Sequence, residues 1–196
     1  MSIGGYAQGI QYGIFDDNSQ AAEVILNESN RLTELVNGIL TLTRMDSNRH
    51  SVKLHNICLK DYFKSLILRL KGLEIANHVT IQYINNDDEL CVMGDDELFD
   101  KTFLNIVSNC IRYAKSNVII RATIQISEIV ITVSDDGDGF SIDDKEHMFE
   151  RFYKGNNGNS GIGLAVAKTA TEYMGASIKA YNSEDGGAVF ELTFLI

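Results

Sequence analysis

The sequence predicts an α/β sandwich, a mixed sheet with helices on one face, preceded by a helical hairpin. Three observations predict it. A heptad rhythm of apolar residues runs through the first 45 or so residues. Beyond it, short alternating apolar runs outnumber the helix-length stretches. Turn-forming clusters between those runs mark frequent hairpins, which favours one layered domain over a helical bundle.

The elements follow in order. Ile3, Tyr6 and Ile10 keep a helical spacing, and "DDNS" (Asp16 to Ser19) supplies N-cap residues for a second helix. From Gln20 to Met45 the only breaker is Gly38; Ile25, Leu32 and Ile39 recur every seventh residue, as do Leu35 and Leu42. Such a seam fits either an intersubunit bundle or an amphipathic helix packed on its own domain. The polar run Asp46 to Asn56 reads as a connector. Lys60 to Asn77 reads as a helix, "HVTIQYI" and "ELCVMG" as short strands around "NNDD", and Asp95 to Lys115 as a long helix. "NVIIRATIQ" and "EIVITVS" form two strands joined around Ser127. The loop "YKGNNGNSG" then leads into a helix from about Gly163 to Met174, and "ASIKAYNS" and "AVFELTFLI" close the chain as a hairpin around "EDGG".

Composition narrows the function. Hydrophobic residues are 44% and charged residues 22% of the 196, ordinary values for a globular protein with one good core. A net charge of −10 argues against a general nucleic-acid binder, because little is left to neutralise many phosphates. No run is apolar enough to span a bilayer, and "MSIGGYAQGI" lacks the basic and apolar segments of a signal peptide. Cys58, Cys91 and Cys110 are odd in number and set far apart among apolar residues, which predicts buried, reduced thiols in a cytosolic setting. His50, His55, His78 and His147 show no metal-ligand spacing, so a structural zinc site is not expected.

The densest polar cluster is "SDDGDGF", Ser134 to Phe140, directly after the apolar run "EIVITV". Read as a calcium loop with ligands at Ser134, Asp136 and Asp138, it needs a bidentate glutamate where Lys145 stands. A strand also leads in where that motif requires a helix, so calcium is rejected. The segment reads better as a strand end entering a turn, its glycines allowing a ligand close to the backbone. Asp135, fixed at the strand end, could accept a hydrogen bond from an exocyclic amine such as that of adenine; a solvated acidic turn is the plainer alternative.

Two further segments point to a nucleotide. In "FLNIVSNCIRYAK", Asn105 and Asn109 stand four apart and so share a helical face. Asparagine has no propensity reason to recur there, and buried amides need partners such as a metal–phosphate group or other core polar atoms. Arg112 and Tyr113 follow, a cation for phosphate and a ring for base stacking. "GNNGNSGIGLAVAK" (Gly155 to Lys168) brings a glycine-rich segment to a helix N-terminus, where free N–H groups and the helix dipole favour an anion. It matches neither a Walker A loop nor the dinucleotide fingerprint.

Taken together, the asparagine helix, "DDGDGF", "MFERFYKG" and "GNSGIGLAVAK" resemble the N, G1, F and G2 boxes of sensor histidine kinases of two-component systems, members of the GHKL ATPase superfamily. The resemblance covers Leu59 to Ile196 in order and spacing, and "ILNESNRLTELVNGILTLTRMDS" resembles the second helix of that family's dimerisation and phosphoacceptor domain. It implies a Bergerat-type ATP-binding catalytic domain over 51–196 and a partial dimerisation hairpin over 1–50. It also implies roles at matching positions. Asn109 would ligate the Mg²⁺ of Mg·ATP with Asn105 in support, Arg112 would contact phosphate, and Tyr113 would lie against adenine. Asp135 would accept from the adenine amine, with Gly137 and Gly139 giving room. Lys154, after Phe149 and Phe152, would reach the terminal phosphate as a catalytic residue beside Arg112. Ser160, Gly161, Ile162, Gly163 and Leu164 would end a lid over the phosphates.

Departures from the pattern are Asn159 where glycine is common, Cys110 where alanine usually follows the asparagine, and Phe140 where isoleucine is common. The larger one is the phosphoacceptor box, His-Glu/Asp-x-Arg-Thr-Pro-Leu: no histidine has that context and the chain contains no proline. "MSIGGYAQG" resembles the stretch directly after that box, so the chain is expected to be a fragment cut just beyond it. The resemblance thus implies a soluble cytoplasmic region of a membrane-bound sensor. ATP would be its phosphodonor, the phosphoacceptor-histidine domain of the same or a partner subunit its acceptor, a response regulator its downstream partner, and a homodimer the intact assembly. A non-catalytic nucleotide-binding or dimerisation scaffold of the same fold is the alternative.

Overall fold

The computed structural model describes residues 2–46, 52–85, 89–155 and 161–196. Two helices come first, α1 (Ile3–Gln11) and α2 (Asn18–Asp46), packed as a hairpin. Ser2 caps α1, its side chain accepting from the Gly5 N–H. After the connector come β1 (His55–Cys58), α3 (Leu59–Asn77), β2 (Thr80–Asn85) and β3 (Cys91–Gly94). Next are α4 (Asp96–Tyr113), β4 (Asn117–Gln125), β5 (Glu128–Asp135) and the short α5 (Ile142–His147). The chain finishes with α6 (Gly163–Tyr173), β6 (Ser177–Asn182) and β7 (Ala188–Leu195).

The main sheet has five strands in the order β2-β4-β5-β7-β6, with β2 parallel to β4 and every other pair antiparallel. It is the mixed sheet that the sequence predicts. β2 and β3, neighbours in sequence, do not pair with each other: β3 joins β1 in a separate two-stranded sheet. Alternation sets the inward face. Val118, Ile120 and Ala122 of β4 are buried while Arg121 between them is exposed. Against that face pack α3, α4 and α6, and Phe63, Phe99, Phe103 and Phe190 are fully enclosed there. Phe63 and Phe103 meet edge to face, ring centroids 4.9 Å apart, a geometry that suits their quadrupoles.

α4 is the helix that carries the asparagines. Asp95 caps it, accepting from the N–H groups of Glu97 and Leu98 at 3.0 and 3.2 Å, while Asp96 and Glu97 add charge of the favourable sign in the first turn. The other carboxylate oxygen of Asp95 accepts from the Lys53 N–H at 2.9 Å, tying the incoming connector to the head of α4. α4 is fixed to α6 by apolar contacts and by buried Thr102, whose hydroxyl lies 3.4 Å from that of Thr171.

Three local features differ from the sequence expectation. The connector over 46–56 already contains the start of β1: "HNIC" lacks a strand signature and is held extended by pairing with β3. α5 is an added helix of 6 residues, made possible by a capping box between Ser141 and Asp144. The cysteines are not uniformly buried. Only Cys110 is; Cys58 is half-buried and Cys91 exposed, because both lie on the outward face of the β1–β3 ladder.

The heptad seam of α2 is divided. Leu42 is buried with Val166 of α6 and with Ile162 just before that helix, Leu35 packs beside them, and the Tyr173 hydroxyl donates to the Met45 carbonyl. Leu32 and Ile39 remain exposed. Gly38 makes this docking possible: a Cβ there would come within 2.4 Å of the Ile162 side chain.

Candidate functional site

A cavity of about 670 Å³ opens where α4, the turn after β5, the start of α6 and one face of α2 meet. One stripe of α4 supplies a wall: Lys101, Asn105, Asn109 and Arg112, with Ser108 beside them, at three- and four-residue spacings. The predicted residues Asn105, Asn109, Arg112, Tyr113, Asp135, Gly139, Gly161, Ile162, Gly163 and Leu164 all line this space. Sequence reasoning missed Lys101, although it stands one turn before Asn105 and its position on the same face was legible. It also missed the contribution of α2, whose Glu34, Asn37 and Thr41 form part of the rim. That contact is tertiary and leaves no mark in a single sequence.

Asp135 ends β5 and is 7% exposed. Its Oδ1 accepts from the N–H groups of Gly137 and Ala188 at 3.0 and 3.2 Å. Its Oδ2 is buried and has no hydrogen-bond partner among the described residues. Burial pushes the carboxyl pKa upward, and the two N–H donors, with the neighbouring Cys110 thiol, work against that rise. An enclosed acceptor left open beside a cavity is costly unless a ligand donor meets it. Gly137 makes the geometry possible: a Cβ there would come within 2.3 Å of the Tyr113 carbonyl and 2.9 Å of Asp135 Oδ1.

The neighbouring carboxylates have other work. Asp136 faces away and clasps the strand entry of β4, accepting from the N–H groups of Lys115, Ser116 and Asn117 at 2.8 to 3.1 Å and from the Ser116 hydroxyl at 2.6 Å. Burial would raise its pKa, but these donors outweigh it and hold Asp136 well below the usual carboxylate range. Asp138 is exposed and pairs with Lys115 at 2.6 Å. Asn182 braces the turn, its amide exchanging hydrogen bonds with the Phe140 N–H and carbonyl at 2.8 and 3.0 Å.

Asn105 and Asn109 are both half-buried. Asn105 donates back to the Lys101 carbonyl at 2.6 Å, which fixes its Oδ1 toward Gly163; a Cβ on Gly163 would come within 2.6 Å of that oxygen. Asn109 lines the cavity one turn on. Gly161 and Phe152 close a loop through the Phe152 N–H and the Gly161 carbonyl at 2.7 Å, with Phe152 itself in the left-handed region at φ 69°. The remaining predicted residues lie outside the lining. Gly137 sits beneath the floor, and Lys154 is exposed between Tyr153 and Gly155, which do line the cavity. Ser160 falls outside the described residues. No group of three or more His, Cys, Asp or Glu side chains that could hold a metal occurs among the described residues.

The family described as histidine kinase-, DNA gyrase B- and HSP90-like ATPase matches residues 94–196, more than half of the chain. The chain belongs to that ATPase family. Its relatives within the family include the sensor histidine kinase CssS of Bacillus subtilis, 31% identical over 189 residues, which cover 95% of this chain and 41% of the relative. The heme sensor protein HssS of Staphylococcus saprophyticus is 28% identical over 179 residues, 89% of this chain and 38% of that protein. The chain therefore spans about two fifths of the length of these relatives. Among solved structures, the Acinetobacter baumannii histidine kinase AdeS superposes with a TM-score of 0.82 at 18% identity, covering 98% of this chain and 92% of that one. Histidine kinase ThkA, solved in complex with the response regulator protein TrrA, superposes with a TM-score of 0.81 at 18% identity, over 98% of this chain and 56% of that one. The likeness establishes the fold, and the sequence matches identify the chain as the ATP-binding catalytic region of the sensor-histidine-kinase type.

Proposed function

We propose that this chain binds Mg·ATP in the cavity and donates the γ-phosphoryl group to a histidine outside these 196 residues, for relay to an aspartate of a response regulator. The observation that carries the reading is the buried, unpartnered Oδ2 of Asp135 beside the cavity. A neutral exocyclic amine is the donor that fits it, as adenine provides.

From that anchor the other roles follow. Tyr113, 38% exposed at the rim, offers its ring to the face of the base. Lys101 and Arg112 are the cations of the α4 stripe and would balance phosphate charge in a chain that is otherwise acidic. The N-terminal N–H groups of α6, reached through Gly161 and Gly163, point at the same region and favour an anion. Magnesium fits a site of this kind, because Mg²⁺ takes most of its oxygens from phosphates and water and asks little of the protein. Asn109, which lines the cavity one turn from Asn105, would hold the ion; bound there, the ion would neutralise charge on the phosphates. Lys154 and the segment ending at Ser160 would close over the phosphates. The protein's contribution to transfer is then positioning and charge neutralisation, not covalent chemistry.

α2 supports a second part of the proposal. Its exposed Leu32, Val36, Ile39 and Leu40 suit a helical partner, a second copy in a homodimer of the intact protein. Among the described residues no helix is long and apolar enough to cross a membrane.

Isothermal titration with a non-hydrolysable ATP analogue and Mg²⁺ tests the binding step, and no binding at millimolar nucleotide would overturn it. Asn109→Asp and Asp135→Asn should each abolish measurable binding. Incubation with labelled ATP and a separately supplied phosphoacceptor domain tests transfer: labelled histidine is expected, and binding without label favours the scaffold alternative.

A further inference from the structure

Cys58 and Cys91 lie 33 positions apart in the chain, yet the fold sets them directly opposite each other at one end of the β1–β3 ladder. The Leu59 N–H donates to the Leu90 carbonyl at 3.0 Å, so the bonds flank the cysteine pair and do not pass through it. In an antiparallel ladder this is the non-hydrogen-bonded position, where opposed Cα atoms approach to roughly 4.5 Å and the side chains stand closest. That separation falls inside the roughly 4.4–6.8 Å window a disulfide spans, at its short end. Ile57 and Val92, the next pair, are buried, so the cysteines occupy the opposite, outward face. The Cys91 side chain is exposed and its thiol donates to the Glu89 carbonyl at 3.3 Å.

We propose that Cys58 and Cys91 form a dithiol site that is oxidised reversibly to an intramolecular disulfide by small disulfides of the glutathione type. The chemistry balances in two exchanges. The Cys58 thiolate attacks one sulfur of the small disulfide, breaking its S–S bond, forming a mixed disulfide and releasing one thiol. The Cys91 thiolate then attacks the Cys58 sulfur, releasing the second thiol. Two electrons and two protons pass from the protein to the oxidant. Burial, the Cys58 thiol and the carboxylates of Asp61 and Glu89 push the Cys91 thiol upward, and the exchange balances equally whichever thiolate attacks first. Cys110 takes no part. It is fully enclosed beneath Asp135, and burial with the nearby Asp135 charge raises its thiol well above the ordinary value.

The bond would have a structural consequence. It would close a loop containing α3 and β2 and would staple β3, which runs through Asp95 straight into the nucleotide-facing helix α4. The exposed Cys91 also leaves such a bond within reach of a small thiol, which suits a reversible modification.

The test uses the 196-residue chain under native conditions, incubated with oxidised glutathione, quenched by alkylation and examined by intact-mass and peptide mass spectrometry. The expected product is lighter by about 2 Da than the untreated chain, carries no alkyl group on Cys58 or Cys91, and yields a Cys58–Cys91 linked peptide. It should form faster at pH 9 than at pH 7, reopen with excess reduced glutathione, and melt roughly 5 °C higher than the reduced chain. Cys58→Ser and Cys91→Ser should each stop at a single glutathione adduct. Persistent adducts in the parent chain, linkage to Cys110 or between chains, or resistance of both thiols would each overturn the proposal.

Discussion

Phe63, Phe99, Phe103 and Phe190 are fully enclosed between the sheet and its helices, whereas Leu32, Val36, Ile39 and Leu40 on α2 stand between 43% and 55% exposed. Both regions are rich in apolar residues, but only the sheet-backed region closes a core within the chain. α2 contributes a short contact at its C-terminal end, where Leu42 meets Ile162 and Val166, and leaves most of its seam open. The difference teaches what each pattern requires. An α/β layer satisfies itself, while a heptad seam needs a second helix surface. The two regions meet at Ile162, which lies at the lip of the cavity and is the residue that α2 touches through Gly38.

Breaking the enclosed core has the largest expected effect. Phe103→Ala should destabilise the chain by about 3–5 kcal/mol, because the ring is fully buried against other aromatics. Chemical denaturation checks this; a loss below about 1 kcal/mol would mean the packing is looser than the structure implies. Leu42→Ala should cost about 2 kcal/mol, near the low end for such truncations, since its cluster is small. Hydrogen exchange should then show α2 losing protection while β4 and β5 keep theirs.

A smaller effect separates two adjacent carboxylates. Asp136 is held below the ordinary range, so its stabilising contribution is complete above the unfolded value of about 3.9 and fades as the pH falls through the lower folded value. Asp136→Asn should therefore lower the melting temperature by a few degrees, roughly 3 °C, at pH 7, with the gap narrowing as the pH falls toward 3. A gap independent of pH would assign the effect to shape, not charge. The smallest change is at the open seam: Ile39→Ser should alter stability by no more than about 0.5 kcal/mol. It should nonetheless weaken any self-association seen by analytical ultracentrifugation.

Much of the fold was legible because its signals are local. Alternation in "NVIIRATIQ" and "EIVITVS" and the capped, breaker-free run of α4 specify element type without tertiary help. The order of the strands was not, since β2 pairing in parallel with β4 and β3 turning to β1 depend on long-range contact. β1 itself was hidden because "HNIC" is polar at its start and extended only through its partner. The candidate site divides the same way. The spacing of Asn105, Asn109 and Arg112 on one helix made the α4 wall readable, and Lys101 belonged to the same stripe. That Asp135, not Asp136 or Asp138, carries the open oxygen agrees with its place at the strand end. The wall from α2 could not be read, because a seam pattern does not say which residues turn inward when half of it docks.

The central claim is that Asp135 Oδ2 receives the exocyclic amine of adenine. Titration calorimetry comparing ATP with ITP, which carries a carbonyl oxygen in place of that amine, tests it most directly. The parent chain should bind ATP at least about 100-fold more tightly than ITP, because the carbonyl sets an acceptor against a buried acceptor. Asp135→Asn should take ATP binding below detection and leave no preference over ITP. Equal affinity for the two nucleotides in the parent chain, or a preference that survives the substitution, would contradict the account.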